Sequence, residues 1–320
     1  MISRGLLCVC LVALFCGTCL VVAPAQGQVV VDSGYEAYSV HIDWAVVKSE
    51  GMLFSYATIG LADVYGGTLC NMSGATIDSA TIYGGWLPNY GTIKSADVRG
   101  GELYNRNGDA TIGTLVLQGG IVSNGSVICE MTYFGGTYMG ADSGLDGRID
   151  TLIVAGPVTG GDWRNVGHLV FDSNGKGAIT VAATASDSGG LGVSFRSAVT
   201  ADRIDFTHGT IVLDLTAIVR DGEDWISAVS GLFESGMTLA TLFGVSDSGP
   251  NSTITGLDAL DSLKVLWGDN QPGTILDGGK LAPGWESTGV AGGGFTHNTP
   301  EPATLTLLCL STATLLRRRK

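Results

Sequence analysis

Glycine pairs recur at 66–67, 84–85, 100–101, 119–120, 135–136 and 160–161, spaced by 18, 16, 19, 16 and 25 residues. Seven residues before each pair stands an isoleucine: Ile59, Ile77, Ile93, Ile112, Ile128 and Ile153. Two before each pair come Val64, Ile82, Val98, Leu117, Tyr133 and Val158. Three after each first glycine come Leu69, Leu87, Leu103, Val122, Tyr138 and Trp163. Five after it come Asn71, Asn89, Asn105, Asn124, Gly140 and Asn165. A period of this size means one supersecondary unit per repeat, each covering the apolar face of the next. The expected fold is therefore all-β: a parallel β-solenoid of about six or seven short coils.

Each column has its own physical reason. The apolar columns point inward and stack. Glycine supplies the positive φ that sharp corners need. Asparagine tolerates left-handed corners, and stacked amides can hydrogen-bond from coil to coil, so Asn71, Asn89, Asn105, Asn124 and Asn165 are expected to form a ladder. The variable spacing argues against a strict left-handed hexapeptide helix. The body resembles the solenoids of autotransporters, which implies a right-handed β-helix.

With 49 glycines and only 15% charged residues, the composition suits a turn-rich β protein. The net charge is −13, and residues 26–299 alone carry 29 acids against 12 bases, or −17. A body this acidic repels nucleic acid. Such a surface attracts calcium or keeps the chain soluble, and solubility is the simpler reading.

Both termini read as processing signals. Arg4, the apolar run Leu6–Val22 and the small residues Ala23-Pro24-Ala25 have the form of a secretory signal peptide over residues 1–25. Four of the seven cysteines fall inside it. At the other end, Pro300-Glu301-Pro302 precedes an apolar run, Ala303–Leu316, and then Arg317, Arg318, Arg319 and Lys320. A helix of this length extends about 21 Å, short of the ~30 Å hydrocarbon core, and inserts only if its basic end snorkels. Basic residues stay cytoplasmic, which leaves the preceding chain outside the inner membrane.

These last 21 residues resemble the PEP-CTERM sorting signal of Gram-negative bacteria, on the strength of Pro300, Glu301, Pro302, the apolar run and Arg317–Arg319 in order. The resemblance implies an exosortase-type sorting enzyme as partner. It also implies transient anchoring in the inner membrane by a transmembrane helix, and a destination at the cell surface or in a polysaccharide-rich extracellular matrix. Residues 289–299, with Gly292-Gly293-Gly294, read as the linker to it.

The remaining organisation follows. Residues 26–56 are expected to cap one end of the solenoid at 57–175. Residues 176–288 are expected to form a β-rich cap or companion domain with a short amphipathic helix within 223–244.

The chemistry-bearing residues are sparse. A polysaccharide lyase or hydrolase would need acids and a base converging on one face. Asp142, Asp146, Arg148 and Asp150 have suitable types, but in a Gly-rich insertion over 140–150 that reads as a solvated loop. The same aspartates could offer oxygens to calcium, yet their spacing fits neither an EF-hand nor a nonapeptide repeat. Asp63 and Asp97, with Thr81 between them, read as an outward ladder. His41, His168, His208 and His297 lack metal spacing. Cys70 and Cys129, in different columns about three coils apart, are expected to stay free thiols.

Asp-Trp recurs at Trp44, Trp163 and Trp225, and a tryptophan beside a carboxylate can hold a sugar ring. Trp163 is expected in the core, and Trp86 and Tyr104 on the surface. Asn71, Asn124 and Asn251 match the glycosylation sequon, the first two incidentally. No catalytic residues, cofactor or metal is expected. The sequence points to a non-catalytic structural or adhesive protein, with a polysaccharide-binding or polysaccharide-degrading β-helix as the alternative.

Overall fold

A computed structural model describes residues 27–106, 108–140, 147–155, 163–173, 177–182, 199–216, 224–234, 254–266, 273–288 and 294–298, with the pairs 11–12, 19–20, 184–185, 193–194 and 238–239. The body is a parallel β-solenoid of about eight turns with a short helix. Most coils contribute one long and one short strand, and like strands stack in register. The long ladder runs through Thr58–Val64, Thr76–Ile82, Thr92–Val98, Thr111–Leu117, Val127–Tyr133 and Arg148–Val154. The short ladder runs through Thr68–Asn71, Trp86–Asn89, Glu102–Asn105, Ile121–Asn124 and Thr137–Met139.

The isoleucine column is the floor of the long ladder: Ile59, Ile77, Ile93, Ile112 and Ile128 are 0% exposed. Burying each such side chain stabilises the fold by about 1.5–3 kcal/mol. In Thr92–Val98 the buried residues are Ile93, Ala96 and Val98, while Lys94 and Ser95 both face out. Two successive outward residues interrupt the usual alternation and give each coil an extra exposed position.

The glycine pair makes the corner. Gly85, Gly101 and Gly120 have φ of 76°, 67° and 72°. A Cβ on Gly101 would lie 2.5 Å from the carbonyl oxygen of Gly85, directly beneath it. A side chain is therefore excluded both by conformation and by the coil below.

The sixth repeat departs from the sequence alignment. Ile128 pairs with Ile149 and Tyr133 with Val154. The inward residues of that coil are thus Ile149, Leu152 and Val154, in place of Ile153; Val158 lies outside the described residues. Ile153 pairs with Thr132 on the outer surface. The repeat columns place a glycine pair at the end of every coil, whereas this strand ends at Val154, before 160–161, which lie outside the described residues. Trp163 and Asn165 belong to the next strand, Trp163–Asp172, which stacks on Arg148–Val154 through Ile149–Val166 and Val154–Phe171.

Parallel stacking also extends beyond the repeats at both ends. Gln28–Tyr38 pairs with Ile42–Ser55, and the latter with both Thr58–Val64 and Thr68–Asn71, so residues expected as a cap supply two coils. Trp163–Asp172 pairs in parallel with Val199–His208, and that strand with Ile254–Thr255. A second parallel sheet, Ala178–Ala182, Thr210–Asp214 and Ser262–Leu266, accompanies these coils and ends in the antiparallel strands Gly273–Asp277 and Lys280–Leu281. Phe171 and Phe206 stack at 5.4 Å and carry the core across.

The helix spans Trp225–Glu234. Asp224 accepts a hydrogen bond from the Ser227 backbone N–H at 3.1 Å, satisfying one of the free donors of the first turn. Val229 and Phe233 are buried, and Phe233 meets Phe295 edge-on at 5.6 Å.

Candidate functional site

The asparagine column is a continuous buried hydrogen-bond ladder. Asn71 Nδ2 donates to Asn89 Oδ1 at 2.7 Å, Asn89 to Asn105 at 2.9 Å, and Asn105 to Asn124 at 2.8 Å. Asn124 ends the run by donating to the Tyr138 hydroxyl oxygen at 3.1 Å. Each amide also donates to a backbone carbonyl of the following coil, as Asn89 does to Thr111 at 3.3 Å. All four asparagines are 0% exposed, so the sequons at Asn71 and Asn124 are closed to modification. Asn165 lies outside the ladder. It is exposed, has φ of 58°, and donates to the Gly147 carbonyl at 2.9 Å. Its coil is one strand later than the glycine spacing implied.

With the repeated residues inside, chemistry is left to the outer face of the long ladder. That face has two unlike regions. Over the first coils it carries Trp44, Leu61, Tyr65 and Tyr83, all exposed. Trp44 Nε1 donates to Asp63 Oδ2 of the next coil at 2.9 Å. Tyr65 and Tyr83 stack with ring centroids 4.7 Å apart and planes 2° from parallel, and the Arg99 guanidinium sits 5.4 Å above the Tyr83 ring. Burial, then the charge of Asp63 and the neighbouring Tyr83, raise the Tyr65 phenol. Asp63, Thr81 and Asp97 do occupy one outward column, where Asp97 is bound by Arg99 at 2.7 Å and by Gln118 at 3.0 Å.

Over the last coils the same face is ionic. His168 Nε2 lies 2.8 Å from Asp205 Oδ2. Arg203 donates to both Asp205 oxygens, at 3.1 and 2.6 Å, and the Thr255 hydroxyl donates to Oδ1. Burial alone would raise the Asp205 carboxyl, but the hydrogen bonds from Thr255, Arg203 and His168 outweigh it and hold the group below the usual range. Arg148 binds Asp150 at 2.9 Å and reaches Asp202 at 3.5 Å. It can do so because Gly167 lies between: a Cβ there would meet Arg148 Nη2 at 2.6 Å.

This cluster brings acids and bases from adjacent coils onto one face, as a polysaccharide-cleaving site would require. Its geometry is that of mutual neutralisation. A general base needs a lone pair free to take a proton, and both oxygens of Asp205 already accept hydrogen bonds. The sequence singled out Arg148 and Asp150 but not Asp205, which lies 37 residues from His168 along the chain. Asp142 and Asp146 lie outside the described residues.

The other candidates are dispersed. His41 pairs with Asp43 at 2.9 Å, His208 lies 3.8 Å from Asp172, and His297 meets Trp285 edge-on. Cys70 and Cys129 are free; Cys129 is exposed, and burial pushes the Cys70 thiol up to about 11. Trp86 is exposed, while Tyr104 and Tyr90 hold Arg106 at 5.3 and 5.1 Å. Among the described residues no group of three or more His, Cys, Asp or Glu could hold a metal ion, and no helix is long and apolar enough to cross a membrane. The tail with Pro300, Glu301, Pro302 and Arg317–Arg319 lies outside the described residues.

No family model, no curated protein and no solved structure matches this chain.

Proposed function

We propose that the chain is an exported structural or adhesive rod of the cell surface or extracellular matrix, without catalytic activity. The observation that carries this reading is where the polar residues go. The asparagines are bound to one another inside the coils, and the acids and bases of the ionic face are bound to one another outside. The signal-peptide pattern over 1–25 and the PEP-CTERM-like tail over 300–320 support export. They point to an exosortase-type partner and a transient stay in the inner membrane.

The test is localisation in a Gram-negative host that carries an exosortase. The full chain is expected in the surface or matrix fraction, and a chain lacking residues 300–320 is expected to be released or misrouted. Unchanged localisation overturns the sorting reading.

The second reading, a polysaccharide-degrading enzyme, is favoured only by the convergence of His168, Arg203 and Asp205. Turnover of any substrate in a polysaccharide panel that Asp205→Asn abolishes would replace the structural reading.

A further inference from the structure

Among the described residues, three arginines of the outer face bind an aspartate two residues away: Arg99 with Asp97, Arg148 with Asp150, and Arg203 with Asp205. Asp63 stands in the same column as Asp97, and the residue two beyond it is Tyr65 instead of arginine. The cations nearest in the stack are already taken, Lys48 by Asp32 at 2.7 Å, Lys94 by Asp78 at 2.7 Å and Arg99 by Asp97. Among the described residues Asp63 joins no ion pair. Its Oδ2 accepts the indole N–H of Trp44, and Oδ1 accepts no hydrogen bond from the described residues.

This carboxylate lines a shallow dent of about 160 Å³ together with Trp44, Leu61, Ala62, Ser79 and Thr81. The space is well below the ~300–1,000 Å³ of sites for drug-sized ligands and suits a single ring. Trp44 and Leu61 are 39% and 54% exposed, large apolar surface left open beside a charge. The hydrogen bond to Asp63 fixes the indole, so its surface is preorganised. Ser79 and Thr81 bring hydroxyl groups. Tyr65 and Tyr83 extend the aromatic surface past the Asp63 column, and Arg99 already shows that this stack accepts a cation over its ring face.

We propose that this dent binds an amino-sugar unit of a cationic glycan. The ring's C–H surface packs on Trp44, its ammonium meets Asp63, and its hydroxyls reach Ser79 and Thr81. Charge complementarity selects this ligand class. A uronate would meet Asp63 and a body carrying −17 over residues 26–299. A neutral sugar would leave the Asp63 charge unanswered. A simple alkylammonium would forgo the ring contact. The site deepens the adhesive reading above, but it is tested on purified protein, so its failure is separate from any failure of sorting.

The experiment is calorimetric titration of the full chain with a glucosamine hexamer, at a pH where the amines are protonated and at moderate salt. The N-acetylated hexamer, cellohexaose and an oligogalacturonate serve as comparators. The glucosamine hexamer is expected to bind and the other three to bind at least about tenfold more weakly. Asp63→Asn and Trp44→Ala are each expected to weaken binding about tenfold, with melting and circular dichroism unchanged. Trp44→Phe, which keeps a ring face, is expected to lose less. Glu130→Gln removes an exposed carboxylate farther along the same face and is expected to change nothing. Absence of binding, equal binding of cellohexaose, or an equal loss in Glu130→Gln each overturns the proposal, the last by revealing bulk attraction to an acidic body.

Discussion

The first and last coils of this solenoid share an interior and differ in their outer face. Inside, Leu53 near the start and Phe206 near the end are both sealed from solvent in one continuous apolar core. Outside, the column of Asp63 changes character. At Asp205 the carboxylate is met by Arg203, His168 and Thr255, while at Asp63 it is met by an indole. The scaffold fixes which positions point outward and leaves their chemistry free. A solenoid can therefore close one region of its surface with internal ion pairs and leave another open to an external partner.

The shared interior is the part of this comparison with the largest energetic consequence. Leu53→Ala should cost ~2–5 kcal/mol and Phe206→Ala ~3–5 kcal/mol. Because the core is continuous, both variants should still melt in a single transition, lowered as a whole. Two resolved transitions in either calorimetric trace would mean that the first and last coils are separate units.

The ionic region should announce itself in acid. Asp205 is held below its unfolded value, so it stabilises the fold fully above the unfolded pKa of ~3.9 and loses that contribution as pH falls through its lower folded value. Denaturant titrations across that range should show a steeper acid decline for the wild type than for Asp205→Asn. Parallel curves would show that the cluster contributes nothing to folding.

The smallest change in stability, and the sharpest test of the contrast, is Tyr65→Arg. It places on the first coils the aspartate–arginine spacing of the last ones. Binding of the glucosamine hexamer should be lost while the melting temperature stays within error. Retained binding would mean that Asp63 is not what the ligand recognises.

The repeat made the middle coils legible, because Ile, Leu and Asn recur where a glycine pair turns each corner. It failed wherever the corner is made differently. Ile42–Ser55 carries Ser49-Glu50-Gly51 at that place, so its membership of the stack was hidden. After Gly135–Gly136 the next long strand begins only at Arg148, later than in the preceding coils, which shifts the sixth repeat and the place of Asn165. In the last coils, Val166 stacks on Ala201 across a long intervening segment, and no sequence period reports pairing over such a span.

The same limit governs the sites. In the sequence Trp44 reads as part of an Asp-Trp element and Asp63 as an outward acid. Their contact depends on the register of a coil the period did not reveal. Arg148 and Asp150 are neighbours in sequence, whereas Asp202 reaches them only through the fold.

The amide ladder carries a direction. Each asparagine donates to the one in the following coil, from Asn71 to Tyr138, and Asn71 Oδ1 is left buried with no donor. Any coil that presents an asparagine at this position, on the pitch of its neighbours, can join at the point of insertion without rewiring the rest. A coil gained or lost whole leaves the matching of the other amides unchanged, and a partial one strands a donor and an acceptor in the core. The rod's length is thus free to vary, but only in whole turns.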